Sequence, residues 1–335
     1  MSKHLLLESK EYDKAATSFT DLGDFENSAE LVTEANYLYA KELFANKNYN
    51  KALELLKGLS KKKYKDSSDL LQETTYQYAI DSFENQNYEE AYNSFTSIAE
   101  YKDVPDRITE ATYQYALQLE QAEQWDNSRK LFKTIQDFND SYERWQESEY
   151  QYALGMYNQK KYIGAINSME SLGDYKDCKT ILLEAKYQYA KSHLQNGSIT
   201  TFDYLTELCS QGYKDSQQIY NDLYSWKATL TALNTSPNDY KTIASSVSRY
   251  NTYLHFRFEV SGGKPGESVT ISVRTDYPDG TIEYLDCDTY MGNISCEWPT
   301  GIYYGPGNRT TGKLTVYVYI KETGEYIGEG SIYIN

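Results

Sequence analysis

The stretch Tyr113-Gln114-Tyr115-Ala116 decides the fold, because the same four-residue word recurs along the first two thirds of the chain. Further copies stand at Tyr76–Ala79, Tyr150–Ala153 and Tyr187–Ala190, and a variant with Leu in second place stands at Tyr37–Ala40. Successive copies are 37 to 39 residues apart. A fixed period of this length is typical of stacked helical repeats.

A second word keeps the same period. Its copies are Tyr64-Lys65-Asp66, Tyr101-Lys102-Asp103, Phe138-Asn139-Asp140, Tyr175-Lys176-Asp177 and Tyr213-Lys214-Asp215. Two anchors in one phase predict an α-solenoid of about six 37-residue helical-hairpin repeats. Projected back from Tyr37, the period puts a further copy near residue zero, so we expect either a chain cut from a longer protein or a short first repeat.

Residues 64–100 show the predicted layout of one repeat. Asp66 and Ser67 supply N-cap chemistry, with Asp69 at capping-box spacing. A first helix is expected from there to about residue 85, followed by a turn at 85–87. The second helix carries apolar residues at helical spacing, which are Tyr88, Ala91, Phe95 and Ile98.

This layout resembles the tetratricopeptide repeat. Ala91 and Phe95 match the Ala and Phe of that family's second helix, and Tyr78-Ala79 matches its Leu-Gly pair. The chain departs from the family in its longer period, in Ser82 at a usual aromatic position and in Asp103 at the usual Pro. The resemblance implies a right-handed α-solenoid over residues 1–233 with a concave binding groove.

The last part of the chain changes its pattern. The sixth repeat departs from the pattern, and the apolar positions of its second helix are occupied by Phe202, Leu205 and Leu208. We expect a final capping helix from about Ser216 to Leu233, and a linker at residues 234–250. Leu254, Phe256 and Phe258 then begin an alternation of period two, so residues 251–335 are predicted to form a small antiparallel β-sandwich.

The turn-like segment Gly262–Glu267 is similar to the strand-linking turn of immunoglobulin-like modules in Gram-positive surface proteins. The whole pattern resembles uncharacterised Firmicutes surface proteins that join tetratricopeptide-like repeats to a terminal β-domain. That resemblance implies an extracellular or cell-surface location for an ectodomain fragment. A cytoplasmic location is the alternative.

The amino-acid composition limits the classes of partner that this protein can bind. The 335 residues carry a formal net charge of −16, with most of the acid before residue 235. An acidic surface repels phosphate backbones, so we expect no nucleic acid partner. No apolar run reaches the length of a membrane span. The chain holds 36 Tyr against 10 Phe, and tyrosine suits half-buried packing or a binding surface.

The residue types give no sign of catalysis. His4, His193 and His255 fall in three different elements and form no metal-spaced pair. No phosphate-binding glycine loop or nucleophile elbow is present, so we expect no enzyme, no cofactor and no metal. Cys287 and Cys296 bracket a predicted turn and could form a disulfide between neighbouring strands in an oxidising compartment, with a reduced pair as the alternative.

The Tyr word is the remaining candidate site. Residues i and i+2 of a helix lie about 200° apart, so its two tyrosines face different ways. By the resemblance, the first tyrosines would form a ladder along the concave groove, with three aromatic residues beside them and four glutamines flanking them. The set is Tyr37, Tyr76, Tyr113, Tyr150 and Tyr187, with Phe44, Phe83 and Tyr157, and with Gln77, Gln114, Gln151 and Gln188.

Two interpretations of the ladder remain open. It either binds an extended protein, peptide or glycan, or it packs one repeat against the next. On the first interpretation the protein is a non-enzymatic binding or scaffold protein at a bacterial cell surface. The alternative is a cytoplasmic adaptor or sensor that oligomerises through the solenoid and docks a partner through the β-domain.

Overall fold

A computed structural model describes most of the chain. The described residues are 7, 9–23, 27–194, 198–236, 238–239, 241–249, 253–291, 296–303 and 310–335, without the side chains of 253, 287–291 and 296–303. The chain divides into two compact units, residues 1–155 and 156–335. The helix predicted at residues 1–11 falls largely outside the described residues.

Twelve helices are seen in the described residues. They are α1 (Tyr12–Thr20), α2 (Ser28–Ala45), α3 (Tyr49–Lys61), α4 (Ser67–Glu84), α5 (Tyr88–Ser97), α6 (Val104–Gln121), α7 (Trp125–Thr134), α8 (Ser141–Asn158), α9 (Tyr162–Leu172), α10 (Cys178–Ser192), α11 (Ile199–Ser210) and α12 (Ser216–Tyr224). The bounds of α4 and α5 and the turn between them confirm the predicted layout of residues 64–100.

Three of the described helical cores join a helical hairpin to the first helix of the next hairpin. Around α4, buried Tyr76 and Ala79 pack with Ala91 and Phe95 of α5 and with Val104 of α6. Ala79 and Ala91 are fully buried, because a residue without a long side chain lets two helices approach closely. Equivalent cores join α2, α3 and α4 in the first unit and α10, α11 and α12 in the second.

The predicted capping helix from Ser216 to Leu233 is wrong in its second half. α12 ends at Tyr224, and Lys227–Asn234 forms strand β1, which pairs antiparallel with the strand at Tyr253–Ser261. Trp226 lies in the apolar core of the β-rich region. This region therefore begins before the predicted start at residue 251 and includes part of the predicted linker.

The β-rich region contains two sheets. Its other strands are β2 (Ser246–Val247), β3 (Tyr253–Ser261), β4 (Ser268–Asp276), β5 (Ile282–Met291), β6 (Cys296–Tyr303), β7 (Gly312–Ile320) and β8 (Tyr326–Ile334). The first sheet has the order β1-β3-β6 and the second the order β2-β8-β7-β4-β5. The expectation of antiparallel pairing throughout is wrong, because β2 runs parallel to the end of β8.

One apolar core takes side chains from both sheets. The alternation predicted on β3 is confirmed, since Leu254, Phe256 and Phe258 are buried and pack with residues such as Val316 of β7 and Ile332 of β8. Period-two alternation puts every second side chain on the same face of a strand. The β-rich region is therefore held by apolar packing between residues far apart in the sequence.

A double glycine joins the last helix to this region. The amide of Gly263 donates a hydrogen bond to the carbonyl oxygen of Tyr224, at 2.9 Å. A Cβ on Gly263 would lie 2.3 Å from Cζ2 of Trp226, and one on Gly262 would lie 2.1 Å from the carbonyl oxygen of Ser225. Both glycines have positive φ, so the close approach and the backbone conformation both require glycine.

Candidate functional site

The predicted ladder tyrosines offer little free surface. Tyr37, Tyr76, Tyr150 and Tyr187 are between 5% and 9% exposed, and Tyr113 is half-buried. The second tyrosine of the word, such as Tyr78, is also only half-buried. Ligand contact by the ladder stays a prediction, and the contacts described next support the packing interpretation.

The hydroxyl of the first tyrosine donates a hydrogen bond to the aspartate of the second word, one repeat further along. The pairs are Tyr37 to Asp66, Tyr76 to Asp103 at 2.6 Å, Tyr113 to Asp140 at 2.5 Å and Tyr187 to Asp215 at 2.6 Å. Asp66, Asp103 and Asp215 each occupy an N-cap position but make no side-chain capping bond. The predicted capping role of the Asp66 side chain is therefore wrong, because its carboxylate binds the tyrosine of the preceding repeat.

A glutamate three residues before the first tyrosine completes the contact. Glu73 accepts hydrogen bonds from the hydroxyl of Tyr101, at 2.7 Å, and from the ammonium of Lys102. That ammonium lies 4.7 Å from the ring centroid of Tyr76 and 5.1 Å from that of Tyr101, and the two rings meet edge to face. We call this set of tyrosines, aspartate, glutamate and lysine the repeat clasp.

The clasp recurs at other repeat boundaries. Glu34 accepts from Tyr64 and Lys65 in the first unit, and Glu184 accepts from Tyr213 and Lys214 in the second. Sequence reasoning missed these glutamates. The signal was present, because a glutamate stands three residues before every first tyrosine, at Glu34, Glu73, Glu110, Glu147 and Glu184.

The predicted glutamines also bind these glutamates. Each side-chain amide donates to the glutamate one turn earlier on the same helix, at 2.8 to 3.0 Å. The pairs are Gln77 to Glu73, Gln114 to Glu110, Gln151 to Glu147 and Gln188 to Glu184. The repeated words are thus tied to each other within the chain.

One boundary carries a reduced clasp. Phe138 and Asn139 replace the tyrosine and lysine of the second word, so neither the hydroxyl nor the ammonium that binds Glu73 has a counterpart near Glu110. Arg144 binds Asp140 at 2.9 Å, as Arg107 binds Asp103 at 2.8 Å, and it also binds Glu120 at 2.6 Å. This boundary provides an internal control for the complete clasp.

The clasp perturbs the ionisation of its members. Burial raises the pKa of Glu73, but hydrogen bonds from Lys102, Gln77 and Tyr101 outweigh burial and lower it to about 2. The same balance lowers the pKa of Glu184 to about 2. The hydrogen bond to Asp66, followed by burial, raises the pKa of Tyr37 to about 12. The contacts therefore favour an ionised carboxylate beside a neutral phenol at pH 7.

The three aromatic residues predicted beside the ladder each contact the first aromatic residue of the second helix. Ring centroids are 5.4 to 6.1 Å apart in the pairs Phe44–Tyr49, Phe83–Tyr88 and Tyr157–Tyr162. These pairs span the turn of a helical hairpin. The rings of Phe44, Phe83 and Tyr157 are only partly buried, unlike most of the ladder tyrosines.

Phe83 also lines a cavity of about 420 Å³ in the first unit. Ile80 of α4, Phe95 of α5 and Arg107 of α6 also line it. Three carboxylates, from Glu84, Asp106 and Glu110, complete the lining. We call this space the Phe83 cleft, and it can accept an apolar group next to a cation.

The predicted disulfide concerns side chains outside the described residues. Cys287 lies on β5 and Cys296 on β6, two strands that belong to different sheets. Their redox state stays a prediction. Cys178 and Cys209 are free thiols, and Cys178 is buried, as expected for an ordinary core cysteine.

In the described part of the chain no group of three or more His, Cys, Asp or Glu is arranged to hold a metal ion. None of the described helices combines the length and the apolar character needed to cross a bilayer. No model of a known protein family matches the sequence, and no curated protein matches it either.

Proposed function

We propose that this protein is a non-enzymatic binding and scaffold protein, displayed at a bacterial cell surface. In this proposal the helical region is a right-handed tetratricopeptide-like solenoid, and the β-rich region is an immunoglobulin-like sandwich. The partner is a protein or peptide that docks on the concave face of the solenoid, on the β-domain, or on both. The repeating helical hairpins and the single core shared by the two sheets support these assignments.

The observation that carries the proposal is the Phe83 cleft. The repeated words are engaged in clasps, whereas Ile80 and Phe83 are only partly buried and line an open cavity. Apolar and aromatic side chains combined with a few polar groups are the common lining of a ligand-binding cleft. A partner side chain with an apolar stem and a positive end would match the rings of Phe83 and Phe95 and the carboxylates of Asp106 and Glu110.

The clasps suit a scaffold. In a repeat protein each unit contacts only its neighbours, so the stiffness of the array depends on those local contacts. Directional hydrogen bonds between charged and neutral groups fix the position of one hairpin on the next. A stiff array can hold a binding surface in one conformation, which reduces the entropy lost on binding.

The experiment is capture by the intact chain from bacterial and host surface extracts, with bound proteins cross-linked and mapped by mass spectrometry. Phe83→Ala should lose the partner that the wild type captures. Tyr142→Ala is the control, since Tyr142 is an exposed aromatic residue of the helical region that contacts one neighbouring ring and is not part of the predicted groove. If both variants captured the partner as well as the wild type does, the groove would be excluded as the docking surface. If the wild type captured no partner, the binding function itself would be excluded.

A second candidate is a cytoplasmic adaptor or sensor. The free thiols of Cys178 and Cys209 favour it, because unpaired cysteines are common in reducing compartments. Mass spectrometry of the protein isolated from its native source under acid quench would separate the two. A Cys287–Cys296 disulfide would support the surface location, and free thiols throughout would support the adaptor.

A further inference from the structure

A second cleft, of about 680 Å³, lies in the unit formed by residues 156–335. One side is the turn before α9 and the first turn of that helix, at Lys160–Gly164. The other side is the end of α10, at Gln188–His193. We call it the lysine cleft, because Lys160, Lys161 and Lys191 line it.

The cleft is cationic in an acidic protein. Three lysines and His193 line it, and no carboxylate is among its described lining residues, although the chain has a net charge of −16. In the described part of the chain, none of these four side chains is in an ion pair. The ammonium of Lys191 lies 5.2 Å from the ring centroid of Tyr187, and its charge helps to lower the pKa of the clasp carboxyl of Asp215.

Two other repeats provide a comparison, because the same backbone positions carry other residues there, whereas the turn before α3 keeps a lysine, Lys47, at the first position only. Lys160 has φ 59°, Gln86 has φ 62° and Glu123 has φ 55°, so the turn has the same conformation in each. The residues that correspond to Lys160-Lys161 are Gln86-Asn87 in one repeat and Glu123-Gln124 in the next. The residues that correspond to Lys191 and His193 are Leu117 and Leu119 after the first of these turns, and Leu154 and Met156 after the second.

The start of the second helix differs in the same sense. α5 has Glu89 and Glu90 in its first turn and α7 has Asp126, whereas α9 has no acidic residue there. The first amides of a helix have no partner within the helix and carry a partial positive charge. In α9 no side chain caps them, since Lys161 at the N-cap position makes no capping bond. These amides add to the positive potential of the lysine cleft.

Aromatic and apolar side chains line the same cleft. Tyr162 and Ile163 lie on its α9 side, and Tyr189 and His193 lie on its α10 side. The rings of Tyr189 and His193 stack, with centroids 4.1 Å apart and an angle of 19° between the planes. A ligand with both carboxylates and flat or apolar stretches would match this combination.

We propose that the lysine cleft binds an acidic peptide segment of a partner protein. The proposal deepens the proposed binding function and rests on it, because it names the chemistry of the partner at a second surface. Lysine ammonium groups pair with carboxylates as point charges without demanding a fixed geometry. A short peptide with a few carboxylates fits better than a nucleic acid, because the remaining acidic surface repels a chain with a charge on every nucleotide more strongly than a segment with a few charges.

The test uses the intact protein and a fluorescein-labelled peptide with four glutamates separated by glycines. Wild type should bind this peptide more weakly as salt rises, and should not bind its glutamine counterpart. Lys160→Gln with Lys161→Asn installs the residues of the second repeat, so the variant should fold and should bind roughly tenfold more weakly or worse. Ile163→Glu, which copies Glu89, should weaken binding in the same direction.

Lys47→Gln is the matched control. Lys47 holds the same turn position in an earlier repeat with φ 58°, and its loss should leave the affinity unchanged. An equal loss for Lys47→Gln, or none for the double variant, would overturn the proposal. Tighter binding of a labelled oligothymidylate than of the acidic peptide would also overturn it.

A further result separates this inference from the proposed function. If the Lys160→Gln, Lys161→Asn double variant still captures the partner of the wild type and the acidic peptide does not bind, the lysine cleft is excluded while the binding function stands. If the double variant loses the partner and Phe83→Ala keeps it, the lysine cleft is the docking surface of the solenoid.

Discussion

The helical and β-rich regions are stabilised by different kinds of contact. Helical hairpins meet through small apolar cores and through clasps in which Tyr76 binds Asp103 and Glu73 binds Tyr101 and Lys102. The β-rich region has one larger core, in which residues such as Phe256 are completely enclosed by apolar neighbours from two sheets.

The difference follows from how far apart the contacting residues are in the sequence. A hairpin repeat buries little surface by itself and must be fixed on its neighbour, so directional bonds between adjacent repeats are effective. The two sheets bring distant strands together and bury apolar surface over all of them. The helical contacts include titrating groups, so changes in pH should affect the clasps more than the apolar β-core.

The largest effect is expected where the β-rich region meets the last helix. Gly263→Ala would put Cβ 2.3 Å from the Trp226 ring, and overpacking at a positive φ should lower the free energy of unfolding by about 3 kcal/mol. Gly266→Ala is the control, because Gly266 has the same φ of 80° and no atom within 4 Å. It should cost about 1 kcal/mol, as measured by urea unfolding followed by tryptophan fluorescence, and equal losses would contradict the close approach.

A complete clasp should matter more than the reduced one. Glu73→Gln removes the negative charge that accepts hydrogen bonds from Tyr101 and Lys102. It should lower the free energy of unfolding of the helical region by about 2 kcal/mol. Glu110→Gln should lower it by less than about 0.5 kcal/mol, because Phe138 and Asn139 stand where those partners would be. Urea unfolding followed by helical circular dichroism measures both, and equal losses would remove the clasp from the account.

A smaller effect is expected for a single hydroxyl. Tyr76→Phe keeps the ring and removes its hydrogen bond to Asp103, so it should cost about 1 kcal/mol. Tyr78→Phe changes the other tyrosine of the same word and should change stability by less than about 0.5 kcal/mol. The same unfolding measurement applies, and the reverse order would show that the second tyrosine makes the stronger contact.

Local signals in the sequence predicted most of the helices. The period of the Tyr word and the turn at residues 85–87 define α4 and α5, because hydrogen bonds within a helix join nearby residues. β1 was missed because Lys227–Asn234 contains Ala and Leu, which also suit a helix. Its strand conformation depends on pairing with β3, whose paired residues lie 21 to 34 positions further on, and local propensity does not report such a pairing.

The candidate site was predicted in part. The sequence identified the words whose residues meet, but not which residue of one repeat binds which residue of the next. Asp66 has the local signature of a helix cap, yet its carboxylate accepts a hydrogen bond from the hydroxyl of Tyr37, 29 residues earlier in the sequence. Glu73 stands in register with the word, but its role depends on the spacing between two helices. These hydrogen-bond partners are set by the packing of one repeat on the next, and the sequence of a single repeat gives no information on that packing.

The most direct test of the clasp compares wild type with Glu73→Gln as the pH falls. The pKa of Glu73 is lowered from 4.5 to about 2 in the folded protein, so its stabilising effect is complete above pH 4.5 and is lost as pH falls towards 2. We predict that the difference in unfolding free energy is largest at pH 7 and shrinks steadily from pH 4.5 downwards. A difference that stays constant over this range would contradict an ionised clasp between the repeats.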